Sequence, residues 1–305
     1  MEGYYTPAMT DTPSALGSRL RVLAAAALFS SGGAAIKAVS LNAWQVASFR
    51  SAIAAVALLL MMPEARRRPT LRVVLVGTAY AMTMVLFVLA NKLTTSASAI
   101  FLQSTAPLHV LLLGPWLLKE RVRRADLVYM GVLALGLASF FVGLDPVSAT
   151  APNPALGNVL ATLSGMTWAL TVMGLRALGR GGEDWGPASA VWGNVIAFFA
   201  CLPLALPVES SRPMDWLTLG YLGVFQIAVA YVFLLRGLKH VPALEASLLL
   251  LLEPVLNPIW AWMAHGERPG AWSIAGGVLI LVATLAKSAW DARSPSPPAI
   301  SPGPS

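Results

Sequence analysis

Apolar residues run along the chain in ten long blocks, and the charged residues gather in short clusters between them. Several blocks carry no charge at all, among them 73–91, 93–118, 127–144, 185–208, 216–235 and 269–286. A helix needs about 20 apolar residues to cross the hydrocarbon core of a bilayer. The pattern predicts ten such helices, at 20–39, 43–62, 71–90, 95–117, 125–144, 156–178, 187–207, 215–236, 242–264 and 270–290. In lipid the backbone must satisfy its own hydrogen bonds, which leaves helices or a closed barrel. Barrel strands alternate over about ten residues; these blocks are continuous, so the expected class is an all-α integral membrane protein. The N-terminus carries Glu2 and Asp11 and no basic residue before Arg19; Arg19 and Arg21 do precede an apolar block, which is read as a retained first span rather than a cleaved signal peptide.

The composition agrees. Of 305 residues, 57% are hydrophobic and 11% charged, against roughly 25% charged in ordinary soluble domains. The net charge of +7 sits in loops rather than along a groove, which argues against a nucleic-acid partner. With Arg50 left out as mid-span, sixteen Lys and Arg fall on the side of the termini and four on the other. That bias predicts cytoplasmic termini and a bacterial-type inner (plasma) membrane. The single cysteine, Cys201, lies within an apolar block, so no intrachain disulfide or cysteine-based metal site is expected.

The chain also repeats itself. Ala99, Pro107, Glu120 and Arg121 recur at the same spacing as Ala246, Pro254, Glu267 and Arg268. Phe29 and Lys37 are matched by Trp168 and Arg176. Five spans per half place the second copy upside down relative to the first, an arrangement typical of secondary transporters with a midplane site. The predicted organisation is a cytoplasmic tail at 1–19, a first repeat at 20–144, a linker at 145–155, a second repeat at 156–290 and a disordered tail at 291–305.

Few polar residues interrupt the spans. Glu253 sits near the centre of the ninth, directly before Pro254. An intramembrane carboxyl is by default a functional candidate, suited to carry a proton or meet a substrate ammonium. The alternative is a structural ion pair or a cap on kinked backbone. Arg50, in the second span, is placed to meet a substrate carboxylate or Glu253, or else to snorkel to the interface. Asn257 follows Glu253 by one turn, so both are expected on one cavity. His109 and Gln103 in the fourth span, and Tyr80 and Trp168 in the third and sixth, complete the candidate binding set. Pro107 and Pro254 are repeat-related helix breakers, and Gly32-Gly33 weaken the first span, so these four are hinge candidates. There is no P-loop, HExxH or GxSxG motif, no cofactor signature, and no loop long enough for a catalytic domain.

Together, ALFSSGGAAIKAV, ASFR, the paired Ala99/Pro107/Glu120 and Ala246/Pro254/Glu267 series, SGMTWAL and LEPVLNPIWAWMAHGERP resemble the EamA-type transporters of the drug/metabolite transporter superfamily. The resemblance covers residues 20–290 and is stronger in the second half. In the first, Phe29-Ser30 replaces the family's Trp-Gly, and Lys119 stands where a glycine precedes the loop glutamate. The resemblance implies ten helices in two inverted five-helix repeats around a central cavity. It further implies alternating-access export of small metabolites such as amino acids, with protons as a possible coupling partner. An uncoupled facilitative exchanger and a non-transporting membrane scaffold are the competing readings. A membrane enzyme would need acids, His or Ser clustered at one interface, and the sequence shows no such cluster.

Overall fold

The computed structural model describes residues 15–117, 122–180 and 182–293. Lys119, Glu120 and Arg121, most of the N-terminal tail, and the C-terminal tail from Ser294 lie outside them. Ten spans cross the molecule: α1 (Leu16–Ala38), α2 (Ala43–Met61), α3 (Leu71–Leu93), α4 (Ser96–Leu117), α5 (Arg124–Val142), α6 (Pro154–Gly179), α7 (Gly186–Ala205), α8 (Pro213–Leu238), α9 (Glu245–His265) and α10 (Ala271–Asp291). Their outer faces are apolar. Leu71, Val128, Leu135 and Met263 are all exposed, as a lipid-facing surface requires.

The two halves interlock. α3 packs on α6 and α7, while α8 packs on α1 and α2; α4 packs on α6, while α9 packs on α1. Exchanging the first five spans for the last five maps each of these pairings onto its counterpart. The pairs α2–α7, α4–α9 and α5–α10 map onto themselves. Since each half holds an odd number of spans, this is a two-fold exchange of inverted repeats.

Three spans are interrupted. α1 turns at Ser31 and resumes at Gly32; α4 turns at Ser104 and Thr105; α9 turns at Leu251. The breaks in α4 and α9 precede Pro107 and Pro254, whose rings cannot follow a regular helical turn. The two breaks are therefore related by the repeat.

The ends of the bundle differ. At the end holding the α1–α2, α3–α4 and α9–α10 loops, Lys37 and Glu267 pair at 3.1 Å, each side chain 3% exposed. The Lys37 ammonium also donates to the Thr94 carbonyl at 2.7 Å and to the Thr150 carbonyl. Glu267 Oε2 accepts from Ser96 N at 2.8 Å. Asp145 accepts from Thr95 Oγ1, Ser98 Oγ, Gly270 N and Ser273 Oγ, tying the linker to α4 and α10. Asp215 accepts from the amide and hydroxyl of Ser40 and so clamps the α1–α2 loop to α8. At the opposite end Arg19–Glu245 and Arg67–Glu183 are exposed, and Lys287–Asp126, at 3.0 Å, is the largely buried pair. Among the described residues, buried polar bonds thus seal the first end more extensively than the other.

Two predictions follow from this packing. Lys37→Met leaves Glu267 buried and uncompensated, which costs about 3–5 kcal/mol. Thermal unfolding in detergent should show a clear drop, partly restored in Lys37→Met/Glu267→Leu; a single variant that melts like wild type contradicts the sealed end. A Cβ at Gly33 would stand 2.9 Å from Asn257 Oδ1 and from Ser96 Oγ. Gly33→Ala should therefore destabilise by about 1–3 kcal/mol, read from the same melting curves.

Candidate functional site

Between the repeats lies a cavity of about 240 Å³. It is built where the interrupted spans meet. α1 supplies Phe29, two residues before its break; α4 supplies Gln103, at its break; α9 supplies Leu250 and Glu253, on either side of its break. α2 adds Arg50, α3 adds Tyr80, Thr83, Met84 and Phe87, and α6 adds Trp168. α8 adds Gln226, Ile227, Tyr231 and Leu234. Leu234 and Leu250 carry the lining toward the less sealed end.

The wall is aromatic. Tyr231 stands edge-on to Phe29 at 6.4 Å and to Tyr80 at 6.0 Å between ring centroids. Such T-shaped pairs fix the rings against each other. Below them, Gln103 Nε2 donates to Ser164 Oγ at 2.8 Å, and that hydroxyl donates to the Thr83 carbonyl at 3.1 Å. Gln103 is therefore held in place by α6 and α3 rather than free to rotate.

Two ionisable groups face this space. Arg50 is 1% exposed; its Nη2 donates to the Met84 carbonyl at 3.0 Å, and its Nε has no partner. The guanidinium does not snorkel to the interface, because α3 and α8 cover the approach. None of the ion pairs among the described residues includes Arg50 or Glu253, so the structure does not pair them with each other. A guanidinium and a carboxyl on one cavity, each without a protein counter-ion, form a site able to hold a solute of both charges.

Five sequence candidates meet here: Arg50, Tyr80, Gln103, Trp168 and Glu253. Two do not. Asn257 turns away from Glu253 and lies fully buried against Gly33, close to Ser96 and Asn91. The helix that restarts at Leu252 presents Glu253 to the cavity and Asn257 to α1. His109 sits in the second segment of α4, half-buried and off the cavity lining. Of the hinge candidates, Gly32 and Gly33 fall directly after the α1 break, and Pro107 and Pro254 within one helical turn after those in α4 and α9.

Gln226 is the residue the sequence reading passed over. It stands in a π-helical stretch of α8, Leu222–Val229, and is 7% exposed. The available signal was an amide inside the charge-free run 216–235.

Known proteins place this architecture. The EamA-like transporter family model matches residues 19–142 and again 155–288. The chain is 29% identical over 268 residues to the pseudopaline exporter CntI of Pseudomonas aeruginosa strain UCBPP-PA14, covering 85% of this chain and 92% of that protein. An uncharacterized transporter of Archaeoglobus fulgidus is 26% identical over 204 residues, covering 67% of this chain and 71% of the other. A solved crystal structure with 20% identity superposes at a TM-score of 0.60 over 89% of this chain and 98% of its own, which bears on the fold alone. The ten spans and these relatives make the chain a multi-pass inner-membrane protein. With both halves matched separately by one family model, the chain belongs to the EamA-like transporter family.

Proposed function

We propose that the protein exports a small zwitterionic metabolite, of the amino-acid class, by alternating access. The observation that carries this reading is the pair Arg50 and Glu253, neither in a described ion pair, on one aromatic cavity between inverted repeats. A substrate carboxylate meets the Arg50 guanidinium, and a substrate ammonium meets Glu253. The cavity, at about 240 Å³, is smaller than the roughly 300–1,000 Å³ typical of drug-sized sites. It therefore suits a compact solute in this state. With the termini cytoplasmic, as the Lys and Arg bias favours, the sealed end faces outward and the cavity leads inward, as in a loading state. The relative named as a pseudopaline exporter supports the direction. On this reading Glu253 also exchanges the coupling proton, and the breaks beside Pro107, Pro254 and Gly32-Gly33 act as the hinges.

Counterflow in proteoliposomes tests this. Labelled amino acids should enter vesicles loaded with unlabelled zwitterions, while sugars and nucleotides should not. Removing a charge-assisted bond costs about 1.5–3 kcal/mol, so Arg50→Gln should weaken apparent affinity roughly ten- to hundredfold. Flux of sugars alone, or full flux in Arg50→Gln, overturns the substrate class. An imposed pH gradient should change the wild-type rate and leave Glu253→Gln unaffected. Equal gradient dependence in both proteins removes the coupling role from Glu253.

A further inference from the structure

The π-helical stretch of α8 places one more polar group on the cavity. Gln226 is more than nine-tenths buried, and its Oε1 has no hydrogen-bond partner. Among the described residues its Nε2 reaches the Phe29 carbonyl alone, at 3.5 Å, a length at which a hydrogen bond is weak. The amide is nevertheless accommodated deliberately. A Cβ at residue 32 would stand 2.8 Å from Gln226 Nε2, so the glycine after the α1 break leaves the room the side chain occupies. The same π-helical stretch is seated on Arg50. Gly223 lies against the Arg50 carbonyl, where a Cβ would come within 2.9 Å. One element thus carries Gln226 and packs on the turn that carries Arg50. π-helical turns inside α-helices are frequent at functional sites.

We propose that Gln226 is a specificity-determining residue: its Oε1 accepts an N–H of the substrate's amino group while Arg50 holds the carboxylate. This rests on the zwitterion reading of the cavity and goes beyond it. Glu253 attracts any positive group by charge. A neutral amide oxygen does not; it requires a hydrogen to accept. Gln226 therefore selects amines that bear N–H over quaternary ammonium compounds of the same charge. The aromatic wall of Phe29, Tyr80, Trp168 and Tyr231 alone would favour the opposite choice, since ring faces attract quaternary ammonium groups well. The acceptor decides, because a buried carbonyl left without a donor is a penalty that the quaternary compound cannot relieve.

The test compares an amino acid with its N,N,N-trimethyl betaine, which keeps both charges and loses every N–H. In counterflow, wild type should take the amino acid roughly ten- to hundredfold better, as expected for one buried acceptor left unpaired. Gln226→Met should lose most of that preference by weakening amino-acid uptake, with betaine uptake little changed. Gly32→Ala, which displaces the amide without removing it, should narrow the preference in the same direction. Size-exclusion profile and melting temperature confirm that each variant is folded. If wild type moves neither compound, the zwitterion reading itself fails. If it moves both equally, prefers the betaine, or keeps its preference in a folded Gln226→Met, the role of Gln226 is wrong and the zwitterion reading stands.

Discussion

Lipid offers no hydrogen-bond partner to a peptide group, so every interruption of a spanning helix must be repaired from within the protein. The rest of this structure follows from where those repairs are made. In α1 the hydroxyls of Ser30 and Ser31 bond the carbonyls of Ala27 and Leu28, each at 2.7 Å. In α4, Ser104 Oγ bonds the Ile100 carbonyl at 2.7 Å and Thr105 Oγ1 the Leu102 carbonyl at 2.6 Å. The backbone there also lies against Gly165 of α6, where a Cβ would stand 3.0 Å from the carbonyls of Leu102 and Gln103. Serine, threonine and glycine are therefore the residues that make a broken helix tolerable at membrane depth. The cavity sits where those breaks converge, because irregular backbone is stable only beside protein or a polar space.

The repeat and the charges divide the work. The largest helix pairings are the same after the halves are exchanged, whereas the smaller contacts α1–α3, α2–α3 and α4–α10 have no comparable counterpart. The polar residues widen that difference. Lys37, Glu267, Asp145 and Asp215 gather at one end and close it with buried bonds. Arg50, Gln226 and Glu253 lie on the cavity and remain open to a solute. A buried ion pair such as Lys37–Glu267 adds little to stability beyond what apolar packing would give, but it is costly to break halfway. It is therefore better suited to fixing one arrangement of the ends than to strengthening the fold.

Much of this was legible in the sequence for simple reasons. A span must be about 20 apolar residues long, so the ten helices are visible as blocks, and Pro107 and Pro254 mark their own breaks. Arg50 and Glu253 stand out because a charge inside such a block has few structural excuses. The failures are equally specific. Asn257 follows Glu253 by four residues, which puts both on one helical face in general. Here that face is wide enough to touch both the cavity and α1, and only the packing decides between them. Gln226 was missed because a π-helical turn shifts the facing of every residue after it, and the apolar run 216–235 contains no periodicity that would reveal the shift. Apart from Arg212–Asp215, the partners of Lys37, Asp145 and Asp215 lie 47 to 230 residues away; no local pattern encodes such contacts.

The open groups on the cavity are the clearest sign of use. A buried donor or acceptor without a partner costs about 1–3 kcal/mol, and Arg50 Nε and Gln226 Oε1 have no protein partner. An apolar residue at 226 would leave no polar group to satisfy beside Gly32. The aromatic rings of Phe29, Tyr80 and Tyr231 pack edge to face along the same wall. Polar groups left without protein partners on an aromatic wall favour a solute over stability, and this cavity has a guanidinium, a neutral acceptor and a carboxyl around it.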